Sequence, residues 1–457
     1  MAKNKSKKYE IDMCNGPILK KMLLFSIPLI CSGMLQLLFN AVDVVVVGKF
    51  AGDNSLAAVG ATTSLINLLV NLFMGLSIGA NVLVARYFGA KHDDELDETI
   101  HTSIGISVFG GILLTIVGIV FAPSFLKMMS TPDNILNLAV VYLRVYFAGM
   151  IPMLLYNYGA AILRAIGDTQ RPLYYLFASG VINVSFNLLF VIVFHWGVFG
   201  VGLATTISQT VSAILVMRCL GKGVGNIKFQ WKKVRINKDK LARIMKIGLP
   251  AGLQGSLFAI SNVIIQSSIN GFGEIAVAGS SAAANIEGFI YIAMNAFYQA
   301  NISFTSQNYG AGKYDRINKI LYNALGCVTV LGLVMGISCY FAGPHLLAIY
   351  TDNPAVIEAG MIRFTYIALP YVCCGVMEVI VGTMRGLGYV IAPMVVTLLG
   401  ACVLRLIWIG TVFQIDRFHT IGMLYIIYPI SWVITIAANI VILVRMRKKL
   451  NEKWNMK

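Results

Sequence analysis

Few ionisable side chains fall inside the long apolar stretches of this chain, and the chemistry of the molecule must start from them. Asp43 follows Phe39 and precedes Val44-Val45-Val46-Val47. Asn183 and Asn187 lie in a later apolar run, spaced i, i+4 and therefore on one helix face, and Thr205 lies in the run after that. Glu287, Glu378 and Arg405 are the corresponding charged residues of the second half. A charge at the centre of a hydrocarbon layer costs ~2.5–3.5 kcal/mol on insertion scales, so each needs a reason to be there. Low dielectric disfavours the charged form of a carboxyl. Asp43, in the company of amides and a hydroxyl, is thus a candidate to bind and release a proton near neutral pH. An aspartate locked in a structural hydrogen-bond network, or one hydrated near the membrane surface, is the competing reading.

Such side chains need helices that cross a bilayer to hold them. Hydrophobic residues make up 58% of the 457 positions and charged residues 12%, against roughly 45–50% and 25% in ordinary soluble domains. A spanning helix takes ~20 apolar residues. Runs of that length are Met22 to Val47, Leu56 to Ala85, Thr102 to Leu126, Leu138 to Leu163, Leu173 to Phe194 and Phe199 to Leu220. After a break come Ile244 to Ile269, Ala276 to Phe304, Ile320 to Ala342, Val356 to Met384, Val390 to Val412 and Ile421 to Val444. The fold class is therefore all-α integral membrane, with about twelve transmembrane helices. At 1.5 Å per residue Asp43 lies ~7 Å from the outer end of its helix, and Asn187, Asn183 and Thr205 lie ~13, ~20 and ~9 Å from the same face.

Orientation follows from positive charge, because Lys and Arg accumulate in cytoplasmic segments. The tail (Lys3, Lys5, Lys7, Lys8, Lys20, Lys21), the central loop from Lys222 to Lys246 and the end (Arg445, Arg447, Lys448, Lys449) fall on one side of a twelve-span chain. Both termini are expected inside, in a plasma membrane. The net charge of +16 then reflects topology and attraction to anionic lipid, and a nucleic-acid partner is not expected. The first run is too long for a signal-peptide core and reads as an uncleaved helix.

Catalytic machinery is not visible. Gly310-Ala311-Gly312-Lys313 is followed by Tyr314 and lacks the spacing and hydroxyl of a phosphate loop. The five histidines are dispersed, with no metal or nucleophile constellation. The eight cysteines show no CxxC and read as reduced packing residues. No enzyme activity, no metal and no cofactor beyond a coupling ion is expected. Gly75-xxx-Gly79 and Gly332-xxx-Gly336 read as close helix contacts. Tyr156, Tyr291 and Tyr298 are candidates for cation–π contact in a cavity, with plain packing as the alternative.

The chain also repeats. Ser26-Ile27-Pro28 with Gly33 and Asn40 lines up with Gly248-Leu249-Pro250 with Gly255 and Asn262. Phe88-Gly89-Ala90 matches Tyr309-Gly310-Ala311, and Arg164-Ala165-Ile166-Gly167 with Pro172 matches Arg385-Gly386-Leu387-Gly388 with Pro393. The expected division is an N-lobe at 1–221, a basic cytoplasmic linker at 222–243 and a C-lobe at 244–457, each lobe holding six spans. Both halves start inside, so the repeats run parallel about an axis along the membrane normal.

These motifs, in this order and at this length, resemble the multidrug and toxic compound extrusion (MATE) family over roughly Gly16 to Arg447. The likeness is carried by Asn40-Ala41-Val42-Asp43 with Gly48, by Tyr87-Phe88-Gly89-Ala90 and by Leu163-Arg164-Ala165-Ile166-Gly167-Asp168-Thr169. The resemblance implies two six-helix lobes and export of lipophilic, often cationic compounds in exchange for H⁺ or Na⁺. It also implies that an aspartate at the place of Asp43 serves the proton-linked members, with polar partners on the fifth and sixth helices. Thr206 is an alternative to Thr205 there, and Tyr142 is a further candidate for the network. Bending of the first helix at Pro28 is a family-derived expectation. Pro152, Pro250 and Pro370 are further helix-interior prolines, each a static kink or a hinge.

The second half departs from the pattern. Ile265 stands opposite Asp43 and Leu404 opposite Asn183, while Arg405 lies mid-membrane where the first half has Val184. Glu287 and Arg405 lie at comparable depth, so Glu287 either pairs with Arg405 and stays charged or meets a cation or substrate. The place of the acid in the Na⁺-coupled branch is held by Phe258 or a neighbour, which puts that Na⁺ site in doubt. The leading expectation is a monomeric antiporter for amphipathic organic cations, embedded in membrane lipid. A flippase for a lipid-linked precursor and a non-transporting membrane receptor are the alternatives.

Overall fold

The computed structural model describes residues 9–225 and 227–455, so Lys3, Lys5, Lys7 and Lys8 of the basic tail lie outside the described residues. Among those residues the chain is helical, with one isolated bridge between Val224 and Ile227. Eleven helices are long and apolar enough to cross a membrane, and a bent pair brings the number to twelve. In order the spans are Ile18–Phe50, Asp53–Ala90, Asp93–Met128, the pair Asp133–Ala148 and Met150–Ala165, Gln170–Val193 and Gly197–Lys222. The second six are Lys238–Asn270, Glu274–Gly310, Tyr314–Phe341, Pro354–Gly386, Ile391–Gln414 and Ile421–Leu450. Large apolar side chains such as Val45, Phe109, Val120, Val181, Val334 and Phe341 stand exposed on them. An apolar surface of this extent suits lipid as solvent, since no soluble monomer would present it.

The repeat is written in the backbone as well. Left-handed positions recur 221 residues apart at Gly52 and Gly273, Lys91 and Gly312, and Gly167 and Gly388. Each ends or turns a helix where a residue in that conformation can satisfy terminal carbonyls.

Two of the prolines break their spans. The fourth span bends by 46° between its two helices, because Pro152 has no N–H for the carbonyl of Ala148. Carbonyls freed near this break find hydroxyls: Thr206 Oγ1 donates to Val145 O at 3.0 Å and Thr115 Oγ1 to Phe147 O at 2.8 Å. The tenth span breaks at the equivalent place, with a π-helical turn at Phe364–Ala368 and a 3₁₀ turn at Leu369–Tyr371 around Pro370. Pro152 and Pro370 thus sit at breaks, whereas Pro28 and Pro250 lie inside unbroken helices. The extra residue of a π turn reorients the side chains on either side of it. Two more such turns occur, Leu188–Val193 after Asn187 and Leu399–Val403 before Arg405.

The chain divides into two compact units. The first holds Met1–Gly16, Ile27–Ser256 and Ser306–Gly312, and the second holds Pro17–Ser26, Leu257–Thr305 and Lys313–Lys457. The boundary therefore falls at Ser256, within the seventh span, and the basic segment 222–243 packs with the first unit. Small residues explain this. A Cβ on Gly75 would come within 2.7 Å of Gly248 O, and one on Gly79 within 2.9 Å of Gly248 N. Only bare glycine backbones allow the second span to lie this close to the start of the seventh. The linker is pinned by Phe229, stacked on His101 at 5.2 Å, by Gln230 N–H donating to His101 Nε2 at 3.1 Å, and by the Arg235–Glu98 ion pair at 3.1 Å.

A large apolar cluster including Leu83, Leu126, Leu143, Phe147, Tyr158 and Leu220 fills the first unit, and one including Ile265, Met377, Phe413, Leu424 and Trp432 lies in the second. In the second unit Gly332 and Gly336 face Val372 and Ala368, where a Cβ would meet Val372 Cα at 3.0 Å and Ala368 O at 2.6 Å. Residues 9–16 form a strap on the first unit. Ile11 N–H donates to Gly167 O at 3.2 Å, Asn308 Nδ2 donates to the carbonyl of fully buried Met13 at 3.0 Å, and Arg171 lies 5.1 Å from the ring centre of Tyr9.

Candidate functional site

In the first unit the polar residues singled out above meet as a chain across three helices. Asn187 closes the α-helical part of the fifth span, and its Nδ2 donates a short hydrogen bond to Asp43 Oδ1 on the first span. The same nitrogen reaches Asn183 Oδ1 at 3.4 Å, and Asn183 Nδ2 reaches Thr205 Oγ1 on the sixth span at 3.5 Å. Thr205 Oγ1 in turn donates a hydrogen bond to Val201 O at 3.0 Å. Thr206, the alternative, is turned the other way and serves the break of the fourth span. Asp43 is half-buried, Asn187 is fully buried and Asn183 is 5% exposed. Tyr142 and Tyr146, whose rings lie 6.0 Å apart, are within electrostatic reach of Asp43.

Packing explains the meeting. Gly180 lies seven residues before Asn187, and a Cβ there would overlap the ring of Phe39, one turn before Asp43. The first and fifth spans can touch at this level only because Gly180 has no side chain. One polar atom of this chain is left over: Asn187 Oδ1 is sealed from solvent and accepts no hydrogen bond from a described residue. A buried amide oxygen without a donor is costly, and it sits on the side chain that holds Asp43.

The second unit uses its charges differently. Glu287 is 3% exposed, and its partner is Arg363, not Arg405. Arg363 Nη2 donates to Glu287 Oε2 at 2.8 Å and Nε to both carboxylate oxygens at 3.1 and 3.2 Å, while Nη1 donates to Ser280 Oγ at 3.0 Å. The pairing with Arg405 expected from depth fails because depth leaves the facing direction open. Arg363 ends the helix Pro354–Arg363 just before the π turn, and that position aims it at the eighth span. It stands within the apolar run from Val356 to Met384, so its charge was a signal available in the sequence. A glutamate satisfied this fully is a structural ion pair. Glu378 is half-buried on the helix Val372–Gly386 and makes no ion pair with a described residue; the charge that acts on it is that of Arg385. Arg405 is 3% exposed and donates from Nε to Ser431 Oγ at 2.9 Å.

Of the three tyrosines, Tyr156 spends its hydroxyl on Pro172 O at 3.1 Å and Tyr298 accepts from Arg385, whereas Tyr291 is 43% exposed. None of the eight cysteines forms a disulfide with another described residue. No group of three potential metal ligands occurs among the described residues.

Comparison with known proteins places this frame. The MatE family model matches residues 28–189 and 250–409, one segment in each repeat. The relative named "Probable multidrug resistance protein YoeA", from Bacillus subtilis, is 26% identical over 387 residues, 83% of each chain. A solved MOP superfamily transporter from Pyrococcus furiosus, described as having a binding pocket of reverse polarity, superposes with a TM-score of 0.89 at 21% identity, over 96% of this chain and 97% of that one. An outward-facing multidrug resistance MATE family transporter superposes with a TM-score of 0.87 at 22% identity, over 97% of this chain and 99% of that one. At these identities the two structures show the fold. Twelve apolar spans in two repeats, each repeat matched by one family model, make this chain a member of the MATE family, a multi-pass membrane transporter and not an enzyme.

Proposed function

We propose that the chain exports amphipathic, often cationic organic compounds across the plasma membrane in exchange for H⁺, with Asp43 as the proton carrier. The observation that carries this reading is the amide of Asn187, fixed between Asp43 and Asn183 with its oxygen unsatisfied. A carboxylate needs a donor, and Asn187 Nδ2 supplies one. A protonated carboxyl is itself a donor, and Asn187 Oδ1 is an acceptor on the same side chain. Turning the amide over exchanges one for the other, so the site can satisfy Asp43 in both protonation states.

Protonation would then remove the charge that holds the first span to the fifth and change which conformation is favoured. Pro28, 15 residues before Asp43 in the same helix, is the place where that helix can bend. The basic segments support cytoplasmic termini, and the chain is taken to act as a monomer.

Purified protein in liposomes tests the reading. An imposed pH gradient should drive movement of a cationic dye, and Asp43→Asn should abolish that drive while leaving dye binding intact. Dye movement in Asp43→Asn equal to wild type, or a dependence on Na⁺ alone, would overturn it.

A further inference from the structure

Arg405 stands out because its charge is not neutralised inside the protein. Glu287 and Arg363 cancel each other, but among the described residues no carboxylate forms an ion pair with Arg405, although it is 3% exposed. Its guanidinium lies 4.1 Å from the ring centre of Tyr428 and 5.7 Å from that of Trp432. Tyr371 meets Trp432 edge-on at 5.4 Å, and Tyr428 and Trp432 meet at 5.9 Å. Aromatic faces stabilise the positive charge but supply no acceptor to its N–H groups. Of the five donors of a guanidinium, only Nε–H finds an acceptor among the described residues, Ser431 Oγ, which in turn donates to Tyr428 O at 2.7 Å. The four terminal N–H groups make no hydrogen bond to a described residue.

The local backbone is built to hold the side chain there. The π turn Leu399–Val403 ends two residues before Arg405, and Gly400 leaves no room for a Cβ against Thr435 of the twelfth span, one turn beyond Ser431. The eleventh span is thereby drawn onto the twelfth at the level of the cluster. A planar fork of four donors without a partner among the described residues, set beside two rings, matches the two oxygens of a carboxylate or phosphoryl group.

We propose that Arg405, with Ser431, Tyr428 and Trp432, is a binding site for the oxyanion of an organic compound. The partner group is a carboxylate or a phosphoryl, carried by a soluble amphipathic compound or by a lipid headgroup. That the compound is cargo rests on the transport reading above; the binding does not.

Fluorescence polarisation of fluorescein, a carboxylate dye, with protein in phosphatidylcholine nanodiscs tests this, with ethidium as the cationic control. Losing a charge-assisted fork should weaken fluorescein binding at least about tenfold in Arg405→Gln. Arg405→Lys should bind with intermediate affinity, and ethidium binding and gel-filtration profile should stay as in wild type for both. Asp43→Asn should bind fluorescein normally, which separates failure of this site from failure of proton coupling. Replacing part of the lipid with phosphatidylglycerol identifies the source: competition in wild type but not in Arg405→Gln assigns the site to a headgroup phosphate, and no competition assigns it to a soluble anion. Equal fluorescein affinity in Arg405→Gln and wild type would overturn the proposal, as would no fluorescein binding by wild type. If Arg405→Gln does not fold, an Arg405→Lys affinity equal to wild type has the same force.

Discussion

Replacing Gly180 by alanine tests whether the contact between the first and fifth spans carries function. A Cβ at this position would crowd three carbons of the Phe39 ring, the farthest of them, Cδ2, at 2.5 Å. Ordinary carbon contacts lie at roughly 3.5–4.0 Å, so the ring and the helix bearing it must withdraw by more than about 1 Å. Asp43 is one helical turn beyond Phe39 and moves with it, and its short hydrogen bond to Asn187 Nδ2 does not survive such a shift. A hydrogen bond to a charged group contributes about 1.5–3 kcal/mol, and each 1.4 kcal/mol is tenfold. The expected result is a loss of pH-driven dye efflux of roughly 10- to 100-fold in proteoliposomes. The added overpacking should cost about 1–3 kcal/mol of stability. Because the cause is steric, Phe39→Ala placed on top of Gly180→Ala should restore most of the efflux. Wild-type efflux in the single variant would refute the reasoning, and so would a double variant no better than the single.

Gly167→Ala should loosen the strap, since Gly167 has φ +98° and a Cβ there would come within 2.9 Å of Ile11 N. Hydrogen exchange of residues 9–16 should speed up in this variant and not in Gly52→Ala, where φ is +86° but nothing lies near; equal exchange in the two would sink the assignment. Asp168, in the turn between the fourth and fifth spans, is fully buried, and burial pushes its carboxyl up to about 6 against a partial pull downward from Arg171. The folded protein then holds more protons than the unfolded chain between about pH 4 and 6. Stability should therefore fall by on the order of 3 kcal/mol as pH rises through that window and level off above it. A melting-temperature profile unchanged by Asp168→Asn would contradict this. Glu287→Gln or Arg363→Met alone should each cost about 3–5 kcal/mol by stranding a buried charge, while the double variant recovers most of it. Thermal melts that show simple additivity would mean that the two are not a pair.

Hydropathy was enough to define the spans, because lipid demands long apolar helices whatever packs beside them. Glycine and proline spacing was enough to reveal the repeat, since the same left-handed turns and breaks recur 221 residues apart. The first-half cluster was also legible: Asn183 and Asn187 share a helix face, Asp43 and Thr205 were expected at similar depth, and the structure joins the four. The choice of Thr205 over Thr206 was not, because neighbouring residues differ by about 100° around a helix and only the packed neighbours decide which one faces the network.

The partner of Glu287 and the isolation of Arg405 lay further out of reach. Depth along a helix can be counted from sequence, but azimuth cannot once a π turn intervenes, and both Arg363 and Arg405 stand beside one. The sequence by itself determined which stretches are apolar enough to span a membrane and which charges fall inside them. The tertiary structure decided which of them meet, pairing Glu287 with Arg363, joining Asp43 to Asn187 and leaving Arg405 against rings, because pairing depends on local helix register and on where a missing side chain lets two backbones touch.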